Sequence, residues 1–381
     1  MIKYVMDVKR SLILACFIVL SYIPQIGPAA AETILNDQII KSDMTLTKDQ
    51  SPYQVKGVLQ IPEGVTLRID PGVGITFKAG SAIKNFGNVV IGDNKSSEKV
   101  FLTEDRFPNN NRENESLING VARSSVSISN TELVSKNRDS LVFGCLSLSI
   151  SNSSIIGFNR IVYQQECQNF TLQNSYILNL RYLYTCAFDG HPDTFIVKDN
   201  IFEGALDFCE EPDRAFHTSS FFNKPNAQTI YEVMGNDFEA LSQINLPVGY
   251  TQYQFSGNNL RKVEKVKLFS FTIPGKPVIT NLAGNYWKSA SNESSLKSVV
   301  KVIDSNTDMT LKDAISLSPL LTQPVQLNSI ALGLRTQYQE SIKAKAGATG
   351  KKSTITCVKG KLAKKITAVN PKCPSGYKVK K

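Results

Sequence analysis

The chain of 381 residues has two histidines and one tryptophan, and its five methionines form no cluster. That scarcity disfavours a metal-handling protein, whose ligands come largely from these side chains. The seven cysteines lack the closely spaced pairs that a zinc site needs. After Ile23 no segment approaches the ~18 apolar residues required to span a bilayer. Residues 343–381 contain no acid and one aromatic, Tyr377. A module that binds nucleic acid by stacking bases would need more, so no specific nucleic-acid partner is expected.

What is present begins with an export signal. Lys3, Lys9 and Arg10 precede an apolar run from Leu12 to Ile23, and Ala29-Ala30-Ala31 ahead of Glu32 supplies a small-residue cleavage site. Residues 1–31 therefore read as a signal peptide, and the mature protein as secreted or held at the cell surface. A lipoprotein reading at Cys16 fits less well, because most of the apolar run follows that cysteine. The formal net charge of +10 is segregated: twelve lysines give 343–381 a charge of +12 and the first 31 residues carry +2, which leaves 32–342 at −4. An electrostatic partner therefore belongs to the tail.

One six-residue phrase organises the middle of the chain: apolar, any, Asn/Asp/Gly/Thr, Asn/Ser/Thr, any, then Leu/Ile/Phe/Trp. It starts at Ile128, Ile150, Leu172, Val197, Phe216, Val233, Phe255 and Leu282, at intervals of 22, 22, 25, 19, 17, 22 and 27 residues. The 17-residue step is the weakest, and one of Phe216 and Val233 is open to being accidental. Apolar residues bracketing a polar corner, repeated about every 22 residues, describe a solenoid whose coils each hold three short strands. Stacked corners would bring Asn130, Asn152 and Asn174 into one column, with amides hydrogen-bonding along the stack. The competing architecture, a sandwich or propeller with ordinary Asn turns, does not explain the period.

The stretch SPYQVKGVLQIPEGVTLRIDPGVGITF, Ser51 to Phe77, carries period-two apolar alternation broken at Pro62-Glu63-Gly64 and Pro71-Gly72. It resembles the opening coils of bacterial secreted right-handed parallel β-helix proteins of the pectate-lyase-like superfamily. Asn285-Tyr286-Trp287, the amphipathic run Glu293–Ile303 and SPLLTQP from Ser318 are similar to the segment that closes such helices. The resemblance covers roughly 45–325 and implies an all-β, right-handed, single-stranded parallel β-helix with an N-terminal cap at 32–50. Short helices at Thr310–Ile315 and Ser329–Ile342 are expected to pack over the last coil. Domain boundaries follow: signal 1–31, β-helix with cap 32–325, short helix and flexible linker 326–353, and a basic tail 354–381. Two polar insertions, Gly92–Lys99 and Glu104–Asn119, are expected as surface loops.

Six cysteines remain after signal cleavage, an even number in an oxidising compartment. Cys145 and Cys167 each lie five residues before a phrase, so adjacent coils would place them together. Cys186 with Cys209, and Cys357 with Cys373 in the tail, are the other expected disulfides. The tail hairpin resembles a basic two-cysteine tail found on secreted actinobacterial proteins.

The densest titratable cluster is Asp189, His191, Asp193, Asp207, Glu210, Glu211, Asp213, Arg214 and His217. Converging carboxylates suit Ca²⁺ ligation or acid–base work on a sugar polymer. Solvated loop charge and Pro-Asp turns explain the same residues more simply. The enzyme motifs of the resembled family are missing: there is no Asn-x-Asp, Asp-Asp and Gly-His-Gly series and no paired arginine motif. No residue is therefore assigned as catalytic, and no cofactor beyond Ca²⁺ is considered. Tyr163, Tyr176, Tyr182, Tyr184, Tyr250 and Tyr253 offer rings for sugar stacking, Tyr176 best because it holds the outward fifth position of its phrase. In the tail, Lys351, Lys352, Lys359, Lys361, Lys364, Lys365, Lys372, Lys378, Lys380 and Lys381 point to an anionic polymer. The expected function is a non-enzymatic, monomeric β-helix protein that binds extracellular or envelope carbohydrate or another surface partner. Its tail would retain it at an anionic cell-wall polymer, and a polysaccharide lyase, hydrolase or epimerase is the alternative.

Overall fold

The repeated phrase folds as the polar corner of a coil. Its third residue turns the chain: Asn130, Asn152, Asn174, Asp199, Gly235, Gly257 and Gly284 have φ of 45°, 50°, 52°, 58°, 67°, 67° and 75°. This is the left-handed region, which Asn, Asp and Gly tolerate and branched residues resist. At Gly235 space adds a second demand, since a Cβ there would lie 2.2 Å from Asp199 Oδ1. The structure, a computed structural model, describes residues 31–104, 116–121, 123–136, 140–162, 167–185, 193–210, 230–247, 252–269, 280–299, 301–304, 315–349, 353–360, 362–368 and 371–380.

Strands on either side of each corner stack in parallel, giving an all-β parallel β-helix of about eight turns. Three faces run its length. The first begins at Thr33–Leu35 and the second at Gln38–Ile39, and both join one 20-stranded sheet because the long strands Ile201–Glu210 and Asp237–Pro247 belong to each. The third is a separate nine-stranded sheet from Met44–Leu46 to Gln252–Ser256. Ile128, Ile150, Leu172, Val197, Val233 and Phe255 share one register on it. Val197 pairs directly with Val233, so the 19- and 17-residue steps merge into one and no coil of this sheet starts between them. The phrase at Phe216 lies outside the described residues.

Inward rows fill the prism. Rings one coil apart stack at close to the strand spacing of about 4.8 Å: Phe170 on Phe195 at 5.2 Å, Phe195 on Tyr231 at 5.0 Å, Tyr231 on Tyr253 at 5.1 Å and Phe202 on Phe238 at 4.8 Å. Tyr253 therefore belongs to the core and not to a sugar platform.

The corner amides stack, but the side-chain ladder runs one position further along than expected. Asn130, Asn152 and Asn174 stack through their backbones, each donating its N–H to the next coil, at Ser151, Gln173 and Lys198 carbonyls. The ladder proper is the fourth position, Thr131, Ser153, Ser175, Asn200, Asn236, Asn258 and Asn285, all buried. The backbone N–H of each of the first six donates to the side-chain oxygen of the next, from Thr131 to Ser153 Oγ (3.2 Å) through Asn258 to Asn285 Oδ1 (2.9 Å). A corner pulls its backbone N–H out of the strand ladder, and an inward oxygen from the neighbouring coil satisfies it.

The ends differ from expectation. Residues 33–46, expected as a cap, are the first coil itself and pair in parallel with the second. After Leu317 the chain turns back along the outside of the first face. Leu321 bridges to Tyr286, Val325 is held by both amide atoms of Asn259 (2.7 and 3.0 Å), and Asn328 Nδ2 donates to Asn174 Oδ1 (3.2 Å). There begins the helix Ser329–Thr349, longer than predicted and packed on middle coils, not over the last one. It runs through most of the stretch expected to be a linker. Most of Thr310–Ile315 lies outside the described residues, and Ile315–Ser316 is a strand.

Two of the expected disulfides are present, Cys145–Cys167 between adjacent coils and Cys357–Cys373 in the tail. Cys186 lies outside the described residues, and Cys209 sits on Ile201–Glu210 in register with Tyr184. The insertion at Gly92–Lys99 is tied down: Asn130 Nδ2 donates to the Ser96 and Glu98 carbonyls (2.8 and 2.9 Å). The ends of Glu104–Asn119 are not loop: Glu104, Ser116 and Ile118 are buried in strands. The tail forms an antiparallel sheet of Ser353–Lys359, Leu362–Ala368 and Lys378–Val379.

Candidate functional site on the outer faces of the β-helix

Of the acidic cluster, Asp189, His191, Glu211, Asp213, Arg214 and His217 lie outside the described residues. Asp193 precedes Thr194–Lys198, and its carbonyl accepts the Ile230 N–H (2.8 Å). Asp207 and Glu210 stand in register with Tyr182 and Thr185. The strands that precede residues 186–192 and 211–229 pair with each other, and so do the strands that follow them. Among the described residues, no group of three or more His, Cys, Asp or Glu side chains is placed to hold a metal ion. Nor, among them, is any helix long and apolar enough to cross a membrane.

Of the tyrosines expected for sugar stacking, those whose side chains are described, Tyr176, Tyr182 and Tyr253, do not form an open platform. Tyr176 does point outward, as its phrase position requires, but it is 1% exposed because the helix Ser329–Thr349 covers it. Tyr182 is 8% exposed, with the Arg181 and Arg160 guanidinium groups 4.9 and 5.8 Å from its ring centre. Tyr163 and Tyr250 lie outside the described residues, and Tyr184 is placed by its backbone alone, on Tyr182–Thr185.

The first face is closed by a polar clasp that the phrase did not reveal. Glu203 accepts from Tyr176 Oη (2.7 Å) with one oxygen and meets Arg335 Nε (3.2 Å) with the other. Beside it Arg261 clamps the buried Asp237 with Nε and Nη2 (2.8 and 2.5 Å), and Glu239 accepts the Gly204 N–H (2.8 Å). Asp237 and Arg261 occupy the fifth and seventh outward positions of adjacent phrases, so the repeat could have paired them. Nothing in the sequence ties Arg335 to Glu203, because helix and coil have no common period.

Burial first, then the hydrogen bond to Glu203 and its negative charge, raises the Tyr176 phenol well above its ordinary value; burial and Glu132 raise Tyr338. A raised folded value means that this contribution is complete below about pH 10, the ordinary tyrosine value, and is lost as pH climbs through the folded one. The helix contact is expected to loosen only at strongly alkaline pH. Phenolate absorbance should show one late-ionising tyrosine fewer in Tyr176→Phe than in the parent; equal titrations would remove the assignment.

The third face is regular, and it is covered at one edge, where Asn94 Nδ2 donates to the buried Ser151 Oγ (2.8 Å). Its outward central column is Thr45, Arg68, Val90, Ser127, Ser149, Thr171, Ile196, Glu232 and Gln254. Across three consecutive coils the outward residues are Ser125, Ser127 and Ser129, then Ser147, Ser149 and Ser151, then Asn169, Thr171 and Gln173. This is a flat, uncharged grid with steps of about 4.8 Å between coils and about 6.6 Å along a strand. In the tail, Lys359, Lys364, Lys365, Lys372, Lys378 and Lys380 are exposed, while Lys351, Lys352, Lys361 and Lys381 lie outside the described residues. Comparison with known protein families, characterised proteins and solved structures finds no match to this chain.

Proposed function

We propose that the chain is a non-enzymatic secreted or cell-surface β-helix protein that binds extracellular carbohydrate and is retained at an anionic envelope by its lysine-rich hairpin. The observation that carries this reading is the hairpin itself: six exposed lysines, four on its sheet and two beside it, stapled by Cys357–Cys373 in a stretch with no acid. Stapling matters because so small a unit has little core of its own, and a loop of this size contributes about 3 kcal/mol of stability. The Leu12–Ile23 run and the Ala29–Ala31 site support export, as do the disulfides. The resemblance of Ser51–Phe77 to secreted pectate-lyase-like β-helices supports a carbohydrate partner.

Each lysine near an anionic surface contributes about 1 kcal/mol. Removing residues 351–381 is therefore expected to lower retention on an immobilised anionic polysaccharide by at least about a hundredfold. The full chain should elute as ionic strength rises from ~0.15 M to ~1 M, where the screening length falls from about 8 to about 3 Å. Undiminished retention of the truncated chain would refute the role given to the tail.

A further inference from the structure

We propose that the Ser/Thr/Asn grid on the third face is a binding site for an ordered, neutral polysaccharide, the chains lying flat across the stacked coils. Three observations select this face and this ligand. The first face is occupied by the returning segment Leu320–Thr349, so it offers no continuous surface. The third face keeps an unbroken register over nine strands. Its central coils carry no charge, whereas Arg68 stands beyond one end and Lys198, paired with Glu232 at 3.6 Å, beyond the other. Burying neutral hydroxyls against a neutral ligand strands no ion, while an acidic polymer would find no cation among these nine side chains.

Six of the nine side chains are also free to bind, Ser125, Ser129 and Ser151 being bonded to Asn88, the Ile91 carbonyl and Asn94. Among the described residues, those of Ser127, Ser147, Ser149, Asn169, Thr171 and Gln173 make no hydrogen bond within the chain, and Ser127 is exposed. Hydroxyls and amides both donate and accept, which matches the hydroxyls of a sugar ring. They stand on a rigid parallel sheet, so little side-chain order is lost on binding.

The same chemistry dictates the size of the ligand. A hydrogen bond exchanged with water gains only a few-fold in affinity, and none of the nine outward side chains is aromatic to add stacking. One sugar therefore binds too weakly to detect. A polymer that repeats its hydroxyls over several coils gathers the contacts into one event, and an insoluble, ordered polymer does so without paying chain entropy again. This assignment rests on the carbohydrate-binding reading above, but not on the tail.

The test is co-sedimentation of the chain lacking 351–381 with microcrystalline cellulose, chitin and an insoluble β-1,3-glucan. At least one should pull the protein down, and free monosaccharide should not release it. Changing Ser127, Ser149 and Thr171 together to Ala leaves the core untouched and should weaken binding about tenfold, equivalent to about 1.4 kcal/mol. Circular dichroism should be unchanged. Failure of all three polymers to bind, or equal binding by the triple variant, would overturn the site. Loss of binding only on removal of the tail would instead assign carbohydrate contact to the lysines.

Discussion

Asn236→Ala is expected to lower the stability of the β-helix by about 2–4 kcal/mol, a large effect for a single residue that touches no ligand. Asn236 Oδ1 accepts both the backbone N–H and the Nδ2 of Asn200 (3.0 Å each), and its own Nδ2 donates to the Val197 carbonyl (2.8 Å) and to Asn258 Oδ1 (3.0 Å). Alanine keeps the fold of the corner but leaves the Asn200 N–H and the Val197 carbonyl without these partners in a dry interior. Each such orphan costs about 1–3 kcal/mol. Ser should be milder than Ala, because Ser175 and Ser153 fill the same position two and three coils earlier and their hydroxyls reach the equivalent N–H. Asp should be worse than Ala: it keeps the acceptor but buries a charge and turns a carboxylate oxygen toward a carbonyl. Denaturant midpoints of the three variants check the order. Ala and Ser both within about 0.5 kcal/mol of the parent, the range of ordinary surface changes, would show that the ladder does not carry stability.

Why the phrase was legible while its ladder was displaced by one position follows from the corner's two tasks. Position three must adopt a left-handed backbone, which restricts it to Asn, Asp and Gly, and such a restriction is visible in any sequence. Position four must present an inward oxygen to the preceding coil. Thr, Ser and Asn all do so, and that set looks like generic turn polarity until the stacking direction is known. The same local logic leaves Phe216 and Val233 as alternatives, and only the pairing of Val197 with Val233 selects the second. Tyr176 shows a different limit. Its outward direction followed from strand alternation, but whether an outward residue is exposed depends on Leu320–Thr349, which returns from far along the chain. Of the acidic cluster, Asp189, His191, Glu211, Asp213, Arg214 and His217 lie outside the described residues.

Ala331→Glu should detach the helix Ser329–Thr349 while leaving the coils folded. Ala331 is fully buried against Tyr176, Ile201 and Leu334, in a small cluster separate from the main core. A carboxylate there costs several kcal/mol unless it reaches water. The large side chains under the helix, Tyr176 and Ile201, each contribute roughly 1.5–3 kcal/mol by burial, so the inserted charge competes with most of what the contact gains. The coils do not depend on that contact, because each is held by parallel strands above and below and by its own inward row. Limited proteolysis should therefore cut between Leu320 and Thr349 in the variant and not in the parent, and a dye that reports exposed apolar surface should bind the bared Tyr176 and Ile201. The main unfolding transition should move little. Loss of that transition would show that the returning segment is part of the cooperative unit and not a strap laid over a finished β-helix.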